Sequence, residues 1–198
     1  MTRAHALAPS DHSSISPIPT GAGGHALSES ASFHATFVAL FNAQFPRIFR
    51  LLDRLTGEPD LAEDLAQETF IRLHRRGGLP DDPDAWLATV ALNLFRNARS
   101  SARRRRELLT VERGAQVHSE AVATPDDRDD SEIIRARVRR ALDALSERER
   151  QLLLLRAEGY GYREMSAALG LNAASVGVLL ARAKQRFRTM YEEVLRAH

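Results

Sequence analysis

The sequence predicts an all-α protein: two small helical domains joined by a flexible linker. Three observations carry this. Apolar residues recur at three- and four-residue steps over long stretches, as on the buried face of a helix. No segment alternates apolar and polar residues as a half-buried strand does. Glycines and prolines fall where such helices would stop and start, and the middle of the chain loses periodicity.

Residues 1–30 are rich in Ser, Pro, Gly, Ala and His without a period, and are expected to form a disordered tail. They lack the apolar centre of a signal peptide. From Phe33 the pattern turns helical, through Phe37, Leu40, Phe41, Ile48, Leu52 and Leu55, with Pro46 expected to kink or split the helix. Gly57 ends this segment and Pro59 opens the next, which places Leu61, Leu65 and Leu73 on one side. The loop GGLPDDP (77–83) follows. Asp82 is a capping residue and Pro83 the start of a third helix, carrying Trp86, Val90 and Leu94. Trp86 is read as core. Residues 31–109 therefore form the first domain and 110–131 the linker. In the second domain, 132–198, helices resume at Ile134, Val138, Leu142 and Leu145. Ser146 and Glu149 make a capping box for the next helix, which stops at Gly159.

Composition narrows the function. The 198 residues contain no cysteine, which excludes disulfides and thiolate metal sites. No run of about 18 apolar residues exists, so no membrane insertion is expected and a cytoplasmic location fits. The formal net charge is only +2, but Lys184 is the sole lysine and charge is segregated. RNARSSARRRR (96–106) is a basic block, and TPDDRDDSE (124–132) is acidic. The preference for arginine has two readings, codon usage in a GC-rich genome or contact with phosphates, which a guanidinium fork matches. The histidines are dispersed and no carboxylate cluster or phosphate loop is present, so no metal, no cofactor and no enzymatic activity are expected.

The stretch YREMSAALGLNAASVGVLLARAKQRFR (162–188) has the pattern of a helix-turn-helix. That unit needs a small residue within its first helix, a residue tolerating positive φ at the turn, and apolar anchors in the second helix. Ser166, Gly170 and Val176 meet these needs, with Met165, Leu169, Leu171 and Leu180 as shared core. Asn172 can cap the second helix and turn its amide groups towards a phosphate. Basic residues follow at Arg182, Lys184, Arg186 and Arg188. The early positions, Ala173, Ala174, Ser175, Gly177, Val178 and Leu179, offer one side-chain hydrogen-bonding group, that of Ser175. Docking on DNA should thus depend on phosphates, shape and thymine methyls more than on base hydrogen bonds.

In the first domain, DLAEDLAQETFIRLHRR (60–76) sets Asp64, Gln67 and Glu68 on one polar face beside the apolar stripe. In the third helix Asn93, Arg96, Asn97 and Arg99 recur on the face away from Trp86, Val90 and Leu94, and the helix runs into the arginine block. Such a polar, arginine-tipped face suits a helix lying along nucleic acid.

Taken in order, DLAEDLAQETFIRLHRR, AWLATVALNLFRNARSSARRRR and ALDALSERERQLLLLRAEGYGYREMSAALGLNAASVGVLLARAKQRFR resemble conserved regions two and four of bacterial RNA polymerase sigma factors. The short form resembles the extracytoplasmic-function (ECF) group. The resemblance covers about Phe33 to Tyr191. It implies that residues 31–109 are region 2, binding core polymerase and the −10 promoter element, and that 132–198 are region 4, binding the −35 element. Asp64, Gln67, Glu68 and Phe70 then fall where the family grips the clamp helices of the largest polymerase subunit. Asn93, Arg96, Asn97, Arg99, Arg103 and Arg104 fall in the helix that recognises and helps melt the −10 element. Arg163, Asn172, Ser175, Arg182, Lys184 and Arg186 fall where region 4 meets the −35 element. The resemblance also implies contact with the flap of the second-largest subunit, and an anti-sigma factor as a further partner. The implied function is promoter-specific initiation with assistance to strand opening, without hydrolysis by this chain. A stand-alone helix-turn-helix regulator is the rival reading, and it leaves the DLAQETF face without a role.

Overall fold

The structure, a computed structural model, describes residues 22–113 and 130–197, with side chains described from Ser32 to Leu108 and from Asp130 onward. The elements are α1 (Ala22–Thr56), α2 (Pro59–Arg76), α3 (Pro83–Arg113), α4 (Asp130–Asp143), α5 (Glu147–Ala157), α6 (Tyr162–Leu169) and α7 (Ala173–Arg196). The described residues hold no strand, as the absence of alternation predicts.

The punctuation acts as the sequence indicates. Gly57 ends α1 with φ 73°, and Pro59 is the first residue of α2. The Asp82 carboxylate accepts the Ala85 amide at 3.1 Å and caps α3. Ser146 caps α5 with a reciprocal Glu149 bond. Pro46 does not split α1, which is one helix across it. The carbonyl that Pro46 leaves without a donor, that of Asn42, belongs to an exposed residue where water can satisfy it, while Ile48, Leu51 and Leu52 fix the next turn in the core.

Two boundaries move. α1 begins at Ala22, inside the segment expected to be a tail, and residues 1–21 lie outside the described residues. α3 runs to Arg113 because no breaker precedes Gly114, so most of the expected linker, 114–129, also lies outside the described residues.

α1, α2 and α3 pack together, and α4, α5 and α6 pack on α7. The two halves also touch each other. α6 makes its most extensive helix contact with α3, and α5 packs on α1, so the buried side chains from Ile48 to Leu180 form one continuous core. Tyr160, 1% exposed in the α5–α6 turn, sits at this junction, and burial pushes its phenol well above the usual range.

The α5 cap gives a stability test. The Ser146 hydroxyl and amide both donate to Glu149, at 2.7 and 2.9 Å, and hold its carboxyl below the usual range. Ser146→Ala is expected to cost about 1 kcal/mol by urea unfolding. A lowered folded-state pKa contributes stability above the unfolded value and loses it as pH falls through the folded one. The gap between wild type and variant should therefore shrink below about pH 4. An unchanged gap would mean that the Glu149 ion does not strengthen the cap.

Candidate nucleic-acid interface

α2 separates its two faces cleanly. Ala62, Leu65, Ala66, Thr69, Phe70 and Leu73 are buried, and Asp64 and Gln67 are exposed on the opposite side. Gln67 Nε2 donates to Glu63 at 3.0 Å, and Glu68 pairs with Arg72 at 2.9 Å within the same helix. These are short local bonds that a partner can replace. Phe70 departs from the other three. It is 2% exposed, with ring centroids 5.0 Å from Phe41 and 5.9 Å from Phe45, so its side chain packs the bundle instead of facing outward. Beside Gln67 a shallow groove of about 410 Å³ runs between α1 and α2, lined by Phe37, Phe41, Phe70, Ile71 and His74. Ile71, 43% exposed, was not singled out in the sequence; its signal is an apolar residue lying off the Leu65–Leu73 stripe.

α3 buries Leu87, Ala88, Ala91, Leu92 and Phe95, and Trp86 packs against the same core. Asn93 and Asn97 are exposed. Arg96 is held from both sides: Nη1 donates to Asn93 Oδ1 at 3.0 Å and Nη2 to Gln151 Oε1 at 3.1 Å. Arg99 Nη1 pairs with Glu147 at 3.0 Å. Beyond this point the helix leaves the body, and every residue from Arg99 to Leu108 is exposed. Arg103 pairs with Glu107 at 2.7 Å, which raises its already high pKa, and Arg104 is exposed on the same arm.

α6 and α7 meet at 92°, the crossing a helix-turn-helix requires. Gly170 has φ 62° at the turn, and the Leu171 amide closes it onto Ser166 O at 2.8 Å. Asn172 Oδ1 accepts the Ala174 amide at 2.9 Å and caps α7. Met165, Leu169, Val176, Leu180 and Ala183 are buried between the helices. Ala173, Ala174, Ser175 and Val178 face outward, as do Arg163, Arg182, Lys184 and Arg186. A Cβ at Gly177 would sit 3.5 Å from the Tyr162 ring, an ordinary contact distance, so the packing of α6 against α7 does not demand glycine there.

The N-terminal site residues and those of α7 thus lie on separate helices, and α5 touches the first set. Among the described residues no group of His, Asp and Glu has the arrangement of a metal site, and no single helix is long and apolar enough to cross a membrane.

Comparison with known proteins matches the same two segments. Residues 40–105 match the model of Sigma-70 region 2, and residues 135–187 that of Sigma-70 region 4. The ECF RNA polymerase sigma factor SigE of Mycolicibacterium smegmatis is 31% identical over 72% of this chain and 56% of its own length. CarQ, an RNA polymerase sigma factor of Myxococcus xanthus, is 29% identical over 80% of this chain and 90% of its own. The chain thus spans little more than half of SigE and most of CarQ. Among solved structures, the sigma factor RpoE of Bartonella quintana, in complex with the anti-sigma factor NepR, superposes with a TM-score of 0.59 at 23% identity over 79% of this chain and 97% of that one. CnrH, in complex with the cytosolic domain of CnrY, gives 0.59 at 20% identity over 85% and 95%. The chain belongs to the sigma-70 family of RNA polymerase sigma factors, in the ECF group.

Proposed function

We propose that this chain binds core RNA polymerase and directs initiation at specific promoters. In this reading residues 31–109 hold polymerase and the −10 element, and residues 132–198 dock on the −35 element. The observation that carries it is the placement of α3: one helix is core over its first half, polar through Asn93 and Asn97, and a solvent-exposed, arginine-rich arm from Arg99 to Leu108. A helix of that kind can grip a separated strand by its phosphates while its body stays anchored. Strand opening then draws on binding free energy, since unstacking a base step costs a few kcal/mol and an unpaired base gains contacts. No bond is made or broken by the chain.

Asp64 and Gln67, exposed on α2, are the polymerase contacts, with Glu68 at their edge. Asp64→Ala with Gln67→Ala should weaken capture of core polymerase by about tenfold while leaving the helical circular-dichroism signal and the unfolding midpoint intact. Unchanged capture would remove α2 from the interface. At the upstream element Arg163, Ser175, Arg182, Lys184 and Arg186 supply phosphate and shape contacts, and Asn172 acts by capping α7. The polymerase flap and an anti-sigma factor are further partners in this reading, and the cytoplasm is the compartment that holds polymerase and promoter DNA. In vitro transcription with purified core polymerase, followed by start-site mapping, tests the whole reading. A defined set of starts that appears only with this chain is expected. Starts unchanged by its addition would overturn it, and tight sequence-specific binding by the isolated chain would favour a stand-alone regulator.

A further inference from the structure

Gly177 occupies an interior position of α7, on the side turned to α6. Nothing in the packing asks for it, since a Cβ there meets the Tyr162 ring at an ordinary contact distance and the backbone is helical. Glycine inside a helix gives up stability that alanine would keep. Beside it stand the two large apolar side chains that residues 162–188 leave in solvent, Tyr162 at 50% exposure and Val178 at 56%. The Arg156 guanidinium lies 6.0 Å over the Tyr162 ring. Ala174 and Ala181, one turn before and one turn after Gly177, are exposed and add only methyl groups. Exposed cations accompany this apolar face on both helices: Arg163 on α6, and Arg182, Lys184 and Arg186 on α7. Ser175, two residues before Gly177, points to another side of the helix, so no polar side chain of α7 enters the gap.

We propose that Gly177, with Tyr162 and Val178 beside it, makes α7 selective for thymine: the C5 methyl of a thymine enters the space that the missing side chain leaves, while the flanking cations hold phosphates. This rests on the reading that α7 docks on the −35 element, in the major groove. There a G·C pair presents two acceptors and a donor, whereas an A·T pair presents a methyl group beside its polar groups. An apolar face pressed on G·C leaves those polar groups dry and unpaired, which is costly. The same face pressed on thymine covers a methyl. Selection therefore needs no hydrogen bond from α7. It comes from rejecting G·C and seating a methyl, and a side chain at position 177 would fill the seat. The glycine gives up helix stability to keep that seat open.

The test uses core polymerase loaded with this chain, and duplex promoters taken from its mapped starts. Each duplex is made with thymine or with deoxyuridine through the −35 element. Deoxyuridine pairs alike and lacks only the C5 methyl. Affinity should fall about fourfold for each seated methyl that is lost, the effect of uncovering one methyl-sized apolar group. The same exchange in the spacer between the two elements should change it less than twofold. Val178→Ala should at least halve the thymine preference without lowering the unfolding midpoint, since the side chain is exposed. Gly177→Ala should raise the midpoint by about 2–4 °C and yet bring the thymine preference towards one. A more stable chain with less selectivity is what a merely structural glycine would not give. Equal affinity for thymine and deoxyuridine, or a preference that neither variant moves, overturns the proposal. So does a lower midpoint in Gly177→Ala, which would mean that packing needs the glycine, or a set of mapped −35 elements without A·T pairs. If the loaded polymerase starts at defined sites and shows no thymine preference, the methyl seat alone fails. If it has no defined starts, the reading beneath it fails and takes the seat with it.

Discussion

Phe70→Ala is expected to destabilise the N-terminal bundle by about 3–5 kcal/mol, the range for emptying a core site of a large aromatic ring. The ring is 2% exposed and meets Phe41 edge-on, with Phe45 beside Phe41 in the same cluster. Its loss removes buried area and the aromatic pairing together, and the neighbouring phenylalanines are themselves held by α1, so the cavity cannot collapse easily. A total stability of about 5–15 kcal/mol leaves little margin. The urea midpoint should fall sharply, and polymerase capture should fall with it as a consequence of unfolding. Phe70→Leu, which refills most of the volume, should restore most of both. The informative contrast is with Asp64→Ala and Gln67→Ala, which should lower capture at constant stability. If Phe70→Ala kept its midpoint and still lost polymerase, the ring would be a polymerase contact and not a prop of the bundle.

That contrast marks where the sequence is legible. Local punctuation is read well because it acts within a few residues: Gly57, Pro59, Asp82, the Ser146–Glu149 box, Gly170 and Asn172 each do in the structure what their chemistry requires. The faces of α2 are also legible, since helical periodicity alone separates Asp64 and Gln67 from Leu65 and Leu73, whereas in α3 the buried stripe is Leu87, Ala88, Ala91, Leu92 and Phe95, and Trp86 and Val90, seven residues before Asn93 and Asn97, share the polar side. Phe70 shows the limit. The resemblance groups it with the polymerase contacts Asp64, Gln67 and Glu68, but its side chain turns to the phenylalanines of α1. Pro46 shows another, because burial of Ile48 and Leu51 outweighs one missing hydrogen bond. The packing of the two halves has no local signal at all. Arg47, Arg50 and Arg54 look like an exposed basic stripe until Glu158, more than a hundred residues on, is set against them. An arginine-rich composition hides which guanidinium groups are structural, and only long-range contacts separate Arg47 from Arg104.

The arm beyond Arg99 supplies the second large effect. Replacing Arg103, Arg104 and Arg105 with glutamine should lower the affinity of the isolated chain for single-stranded promoter DNA by up to about 100-fold at about 0.1 M salt. The slope of log affinity against log salt should become shallower by up to about 2, because each phosphate contact on a single strand releases counterions worth about 0.7 in slope. Glutamine is nearly as good a helix former as arginine, so α3 should persist. Arg103 already shares its charge with Glu107 at 2.7 Å, so its part in the slope should be smaller than those of Arg104 and Arg105. Single replacements measure that ordering. The arm suits the experiment because it is exposed, whereas Arg96 and Arg99 are bonded to α5. An unaltered slope would reduce the arginine block to codon usage and leave α3 with Asn93, Arg96, Asn97 and Arg99 as its whole nucleic-acid surface. A shallower slope with unchanged helicity would assign the block to phosphate, and would explain why a chain with a net charge of only +2 gathers four successive arginines on the exposed stretch of α3.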